Sequence, residues 1–307
     1  MTAKIFIDGE HGTTGLQIRE RLEARDDLAL LSLGHEDRRD ADKRAQLLKD
    51  ADIAILCLPD DAAREAVSLA ADSGTRFVDA STAHRTHRDW VYGFAEAEPG
   101  QAAKIANAQF VSNPGCYSTG AIAVLRPLVL AGILPTDYPV TINAVSGYTG
   151  GGKQLIAQME NTDAPDAITA PYFAYALTLA HKHVPEIVTR SGLTRKPIFS
   201  PNVSKFPQGM LVNVPLHLDM LAGTPSPAQL HTALADHYAG QEIVEVMPTE
   251  PVAVRLDPTE MKDTDRMRIY VTANADAGHV NIIASLDNLG KGASGAAVQN
   301  LDLMLRS

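Results

Sequence analysis

Positive charge is what this 307-residue chain lacks. Its 27 Lys and Arg stand against 37 Asp and Glu, a formal net charge of −10. That balance excludes non-specific binding to nucleic acid or to an anionic membrane surface. It leaves room for a small anionic substrate, for which a local arginine suffices. Long hydrophobic runs are missing too, and no uninterrupted apolar stretch is long enough to span a bilayer. Cysteine is scarce: Cys57 and Cys116 are the two. Two such residues do not make a disulfide framework, so a reducing compartment is expected. The start of the chain has no charged-then-apolar leader, which adds to a cytoplasmic expectation. Internal repeats and low-complexity segments are absent. With 45% apolar residues there is still enough for a substantial core.

The first third alternates two patterns. Strand-like runs at 4–9, 28–33, 52–58 and 76–80 are separated by helix-like spacing at 14–24, 38–49 and 61–73. That order predicts an α/β fold with a doubly wound parallel sheet. After Cys116 the character changes. Segments 211–218, 268–272 and 279–285 alternate apolar and polar residues, as half-buried antiparallel strands do, and the last two predict a hairpin. Residues 140–145 read as a further strand and 230–238 as a helix. The tail, 293–305, is a helix with Ala297, Leu301 and Met304 on one face, able to return to the first domain. The expected division is 1–115 with 289–307 as one domain, and 116–288 as a second, α+β domain.

Gly9-Glu10-His11-Gly12-Thr13-Thr14-Gly15 follows the first strand and opens the first helix. Glycines there permit a tight turn, and bare N–H groups at a helix start bind pyrophosphate. Gly9, Gly12, Thr13, Thr14 and Gly15 are therefore candidate dinucleotide ligands. NAD sites place an acid at the end of the second strand. Here Ser32 stands there, with Arg38 and Arg39 close behind, a pattern suited to the 2′-phosphate of NADP. Glu36 and Asp37 in the same stretch count against it.

Cys116 is the candidate nucleophile. An apolar run ends at Ser112, Asn113-Pro114-Gly115 turns sharply, and a long apolar segment begins at Tyr117. The thiol is thus expected at the start of a buried helix, where free N–H groups and the helix dipole favour thiolate. A small cysteine filling a helix–sheet junction is the plainer alternative, and Cys57, inside an apolar strand, is assigned to core packing. The run Ser146 to Lys153 has Walker-like spacing, but Gln154 replaces the required Ser or Thr, so no nucleoside triphosphate site is expected. Its glycines suit a substrate carboxylate or phosphate, with Ser146 and Gly147 as candidates. His181 and His183, two apart, would face one side of an extended segment. They read either as a general acid/base beside the thiolate or as part of a polar surface loop; for a metal pair, no third ligand cluster stands out. Asp79 to Arg85 follows the fourth strand, so Ser81 and Arg85 are expected to face the ligand crevice, Arg85 as an anion clamp, with Arg88 in that role, or both arginines exposed, as the alternatives.

Together these segments resemble the shorter form of N-acetyl-γ-glutamyl-phosphate reductase of arginine biosynthesis. The resemblance is carried by Gly9-Glu10-His11-Gly12-Thr13-Thr14-Gly15-Leu16, Asp79-Ala80-Ser81-Thr82-Ala83-His84-Arg85, Trp90-Val91-Tyr92-Gly93-Phe94, Ser112-Asn113-Pro114-Gly115-Cys116-Tyr117, Ser146 to Lys153, His181-Lys182-His183-Val184-Pro185-Glu186 and Asn288 to Gly295. It implies a fold related to aspartate-semialdehyde dehydrogenase, with 116–288 as the catalytic and dimerisation domain. It implies a thioester at Cys116 formed with loss of phosphate, then reduction by NADPH to an aldehyde. His181 becomes the acid/base, and His183, Arg85, Ser146, Gly147 and Asn113 substrate-binding groups. Ser81 and Asn288 join the cofactor site, the loop from Asn288 closing over the nicotinamide. A homodimer or homotetramer is implied. Two alternatives stay open: a reductase of aspartyl or carrier-bound aminoadipyl phosphate, and a nucleotide-binding redox sensor switched at Cys116.

Overall fold

The structure is a computed structural model that describes residues 2–34, 37 and 40–306. Contacts divide the chain into two compact units. One comprises Met1–Ala95, Gly100–Pro114 and Ala293–Ser307; the other comprises Glu96–Pro99 and Gly115–Gly292.

The first unit contains β1 (Ala3–Asp8), α1 (Thr13–Leu22), β2 (Leu28–Leu31), α2 (Ala41–Asp50), β3 (Ile53–Leu56), α3 (Asp60–Leu69), β4 (Arg76–Asp79), β5 (Val91–Tyr92), α4 (Gln101–Ala106) and β6 (Phe110–Ser112). Its six strands pair in parallel in the order β2-β1-β3-β4-β6-β5. The order reverses beside β1, and dinucleotide folds bind their ligand outside the strand ends at such a reversal. The near-continuous apolar runs of β1 and β3 follow from burial on both faces. Ile5, Ile7, Ile53, Ile55 and Val78 pack on one face with Ile18 and Leu22 of α1 and with Leu301 and Met304 of the helix Gly295–Leu305. Phe6, Ala54, Leu56 and Phe77 pack on the other, with Leu48 of α2 and Ala63 and Ala66 of α3. Burying each large side chain contributes roughly 1.5–3 kcal/mol. α2 starts at its Asp40 cap, which accepts the N–H groups of Asp42 and Lys43. β3 ends at Leu56, so Cys57 lies just past the strand and not inside it.

The second unit contains α5 (Cys116–Leu130), β7 (Thr141–Gly147), α6 (Gly152–Glu160), β8 (Tyr172–Ala174), α7 (His183–Ser191), β9 (Ile198–Ser204), β10 (Met210–His217), α8 (Pro227–His237), β11 (Val244–Val246), β12 (Met267–Asn274) and β13 (His279–Leu286). Its seven strands form a mixed sheet in the order β11-β12-β13-β10-β7-β9-β8. The expected hairpin is present, with Arg268 opposite Ser285 and Asn274 opposite His279. α5 is apolar nearly all round because its first three turns are largely enclosed; Ala121, Ile122, Ala123, Val124, Leu125 and Leu128 are fully buried. Gly120 lets it lie close on the sheet: a Cβ there would stand 2.7 Å from Val212. Tight seating on a rigid sheet fixes the first residue of α5, which is Cys116.

Candidate functional site

Cys116 opens α5 as expected, after Gly115 in extended conformation. No side chain caps the helix in the usual way. Glu186, on α7, supplies a carboxylate instead. One of its oxygens accepts the Gly115 N–H at 2.9 Å and the other the Ser118 hydroxyl at 2.8 Å. The residue is 1% exposed. A carboxylate suits the positive end of a helix, and charge-assisted bonds of this kind are among the stronger ones. Sequence reasoning missed this role, naming Glu186 only as the end of a motif. Its partners lie some 70 residues upstream, and no spacing rule connects them.

The histidine segment is not extended. Lys182 takes a helical conformation and His183 is the first residue of α7. Pro185 and Glu186 in the first turn were the available signal for a helix start. The chain folds back so that the His183 N–H donates to Nδ1 of His181 at 3.1 Å. In the neutral ring the proton therefore sits on Nε2, which lies 3.2 Å from the Tyr175 hydroxyl. The two imidazoles still meet, with ring centres 4.7 Å apart, and both lie about 6 Å from the Tyr117 ring. Burial, assisted by Lys182 and opposed by Glu186, pushes His181 down to about 4, so it is neutral at pH 7. Burial raises Tyr175 to about 12 and Tyr117 further, and the Cys116 charge adds to both. Cys116, Tyr117, Tyr175 and His181 thus form one cluster. The two tyrosines were not singled out from the sequence.

In the loop after β7, the first three amides are not bare as its glycines suggest. The N–H groups of Gly147, Tyr148 and Thr149 donate to the carbonyls of Gly209, Phe206 and Pro207. Gly147 is needed for that approach, since a Cβ would stand 2.3 Å from the Pro207 oxygen. Ser146 is buried, its hydroxyl bonded to the Gly147 carbonyl at 3.1 Å and also acting on Tyr117. Asn288 is buried and engaged at both ends: it accepts the Gly209 N–H at 2.8 Å and donates to Thr149 at 3.0 Å. The loop after Asn288 reaches the nucleophile. A Cβ on Gly292 would stand 2.9 Å from that of Cys116. Asp287 shapes this loop by accepting the N–H groups of Leu289 and Asp263 through its carboxylate, and that of Gly292 through its carbonyl. Lys291 and Glu96, both buried, form an ion pair at 2.6 Å.

In the first unit, the glycine loop fits the pyrophosphate of a dinucleotide. Gly9 has φ of +90°, and a Cβ would stand 2.4 Å from the Cys57 oxygen; one on Gly15 would stand 2.4 Å from the Gly9 oxygen. Both glycines are dictated by close approach. Gly12 precedes α1 with no side-chain cap, and an uncapped helix start of this kind suits an anion. A cavity of about 250 Å³ adjoins the loop, lined by residues that include Glu10, His11, Leu33, Arg44 and Leu58. Ser32 donates to Glu10 at 2.7 Å and accepts from Arg19 at 3.2 Å. Arg38 and Arg39 lie outside the described residues.

Ser81, at the end of β4, gives its hydroxyl and its N–H to Asp79, which also binds His84 at 2.6 Å. Arg85 is 8% exposed. It donates to the carbonyls of Asn113 and Ala80, tying the end of β4 to the Asn-Pro-Gly turn. The Asn113 side chain is bonded to Asn300 and to the Ala293 carbonyl. Among the described residues no group of three or more His, Cys, Asp or Glu is placed to hold a metal ion, and no helix is long and apolar enough to cross a membrane.

Two family descriptions match: semialdehyde dehydrogenase, NAD binding domain, over residues 4–105, and semialdehyde dehydrogenase, dimerisation domain, over residues 116–288. Among curated proteins, N-acetyl-gamma-glutamyl-phosphate reductases from Brucella ovis and Brucella canis are each 61% identical, over 99% of this chain and 99% of theirs. Among solved structures, aspartate semialdehyde dehydrogenase II from Vibrio cholerae aligns with a TM-score of 0.75 and 18% identity, covering 100% of this chain and 99% of that one. Aspartate semialdehyde dehydrogenase with NADP from Candida albicans gives 0.66 and 15%, over 99% of each. At such identities these two establish a shared fold.

Proposed function

The chain belongs to the semialdehyde dehydrogenase family, among the N-acetyl-γ-glutamyl-phosphate reductases, and we propose that it reduces N-acetyl-γ-glutamyl phosphate to N-acetyl-glutamate 5-semialdehyde. The route is a thioester on Cys116, and the step belongs to arginine biosynthesis. The observation that supports this reading is the joining of α5 to α7 by Glu186, beside the His181 ring that lies 6.0 Å from that of Tyr117, the neighbour of Cys116. A thioester route needs one thiolate, one hydrogen-bond donor to the developing oxyanion, one nicotinamide and a means of holding the substrate anion.

The Cys116 thiolate attacks the γ-acyl carbon; the carbon–sulfur bond forms and the carbon–oxygen bond to phosphate breaks. Thr13, Thr14 and the loop glycines would hold NADPH, which would supply the reducing hydride when bound. His181 donates a hydrogen bond from its Nε2–H to the carbonyl oxygen as negative charge develops there and keeps its proton throughout. When the tetrahedral alkoxide left by reduction of the thioester collapses, the carbonyl re-forms and the carbon–sulfur bond breaks, which frees the aldehyde and restores the thiolate. Tyr175 keeps the Nε2 edge oriented between turnovers. His183 and Ser146 bind the substrate's polar groups. Arg85 and Asn113 act at the turn that carries the thiol, and Ser81 and Asn288 shape the cofactor side.

The working form is a homodimer or homotetramer assembled through 116–288, acting in the cytoplasm. Close likeness to curated reductases favours an enzyme over a redox sensor. The test runs the reaction backwards, measuring NADP reduction with phosphate and either N-acetyl-glutamate semialdehyde or aspartate semialdehyde. Selective turnover of the acetylated aldehyde is expected. Preference for aspartate semialdehyde would replace the substrate, and no turnover of either would remove the reading.

A further inference from the structure

With NADPH as the cofactor, the reading on which this inference rests, some group must distinguish an adenosine 2′-phosphate from a 2′-hydroxyl. In dinucleotide folds the ribose is read at the end of the second strand, where an acid favours NAD and repels NADP. β2 ends at Leu31, and no acid follows it directly. A carboxylate nevertheless stands there, contributed by the glycine loop. Glu10 is 7% exposed, and one of its oxygens accepts the Ser32 hydroxyl at 2.7 Å. Glu10 also lines the cavity beside Gly9, His11 and Arg44. By position and chemistry it is an NAD-type acid in a chain otherwise read as using NADP.

Its charge is covered. Arg19 of α1 pairs with the second Glu10 oxygen, reaches Glu23 at 2.6 Å, and also donates to Ser32 at 3.2 Å. The arginine that lines that cavity is committed elsewhere: Arg44 binds Asp8 at 2.7 Å and Glu65 at 2.9 Å. Among the described residues, Arg19 is the guanidinium bonded to both groups at the strand end.

We propose that Arg19 is the cofactor-selecting residue of this protein. It neutralises Glu10, and with Ser32 it receives the 2′-phosphate. A guanidinium presents several N–H groups in a fixed fork, so it can keep Glu10 on one edge and take a phosphate oxygen on another. Without Arg19 the same carboxylate repels the phosphate and accepts the ribose hydroxyl of NADH.

The test is equilibrium binding of NADPH and NADH, read from nicotinamide fluorescence on the full chain, for wild type, Arg19→Leu and the double variant Arg19→Leu, Glu10→Gln. Arg19→Leu should bind NADPH about ten- to a hundredfold more weakly, the range for one lost charge-assisted bond, while NADH is held as well as before or better. Retained NADH binding also reports a folded loop. The double variant should recover at least about threefold of the lost NADPH affinity, because the repulsion is gone. Parallel loss of both cofactors in Arg19→Leu, or no recovery in the double variant, overturns the assignment. A wild type that does not prefer NADPH overturns the cofactor reading itself.

Discussion

Glu186 and Gly115 are joined by a buried hydrogen bond of 2.9 Å, from the backbone N–H before the nucleophile to a carboxylate on the helix that follows the histidines. With the Ser118 bond it makes the start of α5 and the start of α7 one rigid piece. A mobile thiol would lose the orientation on which an attack geometry depends, and orientation is a large part of rate.

Glu186→Gln tests that link. An amide keeps one acceptor but turns an NH2 group toward a donor, leaving one buried bond unmade. A loss of about 1–3 kcal/mol of stability is expected, with kcat down by about one to two powers of ten and NADPH affinity unchanged. Thermal melting, steady-state kinetics and cofactor titration measure the three. An unaltered kcat in a destabilised variant would make Glu186 a purely structural residue.

Cys116→Ser should abolish nearly all turnover while NADPH still binds, because a hydroxyl is a far weaker nucleophile at neutral pH. Retention of a tenth of the wild-type rate would exclude the thioester. In the wild type, iodoacetamide should label Cys116 and spare Cys57, whose thiol burial pushes up to about 12. Peptide mass spectrometry reads the site, and substrate should protect it.

His181 should titrate near 4 and not near neutrality, as followed by the NMR shift of its ring protons. Its folded value lies below the ordinary value of 6.5. The unfolded chain therefore binds the proton first, and this group's contribution to stability falls as pH drops from about 6.5 to about 4. Above that window the contribution is constant. His181→Ala should remove this acid-limb dependence and lower kcat by about two to three powers of ten, the range for one lost donor to a developing oxyanion. Lys182→Ala should shift the His181 midpoint upward, since the ammonium is one cause of its depression. A midpoint at 6.5 in the folded protein would contradict the burial that defines the cluster.

Gly292→Ala places a methyl group against Cys116. With the Cys116 Cβ at 2.9 Å and the Asp287 oxygen at 3.0 Å, the loop must shift, at a cost of about 1–3 kcal/mol. The expected result is a fall in kcat and slower iodoacetamide labelling of Cys116, with fluorescence still showing NADPH bound. Wild-type labelling and turnover together would mean that the loop yields freely.

Periodicity and punctuation alone determined much of this protein. The alternating patterns of the first third specify a parallel sheet because strands buried on both faces must be apolar throughout. Gly9, Gly12 and Gly15 announce an anion-binding turn, since their spacing matches what a strand-to-helix crossover requires. Asn113-Pro114-Gly115 before an apolar run places Cys116 at a helix start. All of these are local, carried by residues within a turn or two of one another. Tertiary structure decided what depends on partners distant in sequence. Glu186 serves a helix some 70 positions upstream. Tyr175 meets His181 only because the segment between them curls back, and Lys182 bends where an extended chain was expected. The amides of Gly147, Tyr148 and Thr149 look bare until the 206–209 segment comes down on them. Glu10 reaches the end of β2 from another loop, where Arg19 covers its charge. A pattern along the chain shows which residues are offered to a site. Their charge, protonation and remaining hydrogen-bonding capacity are set by neighbours that only folding supplies.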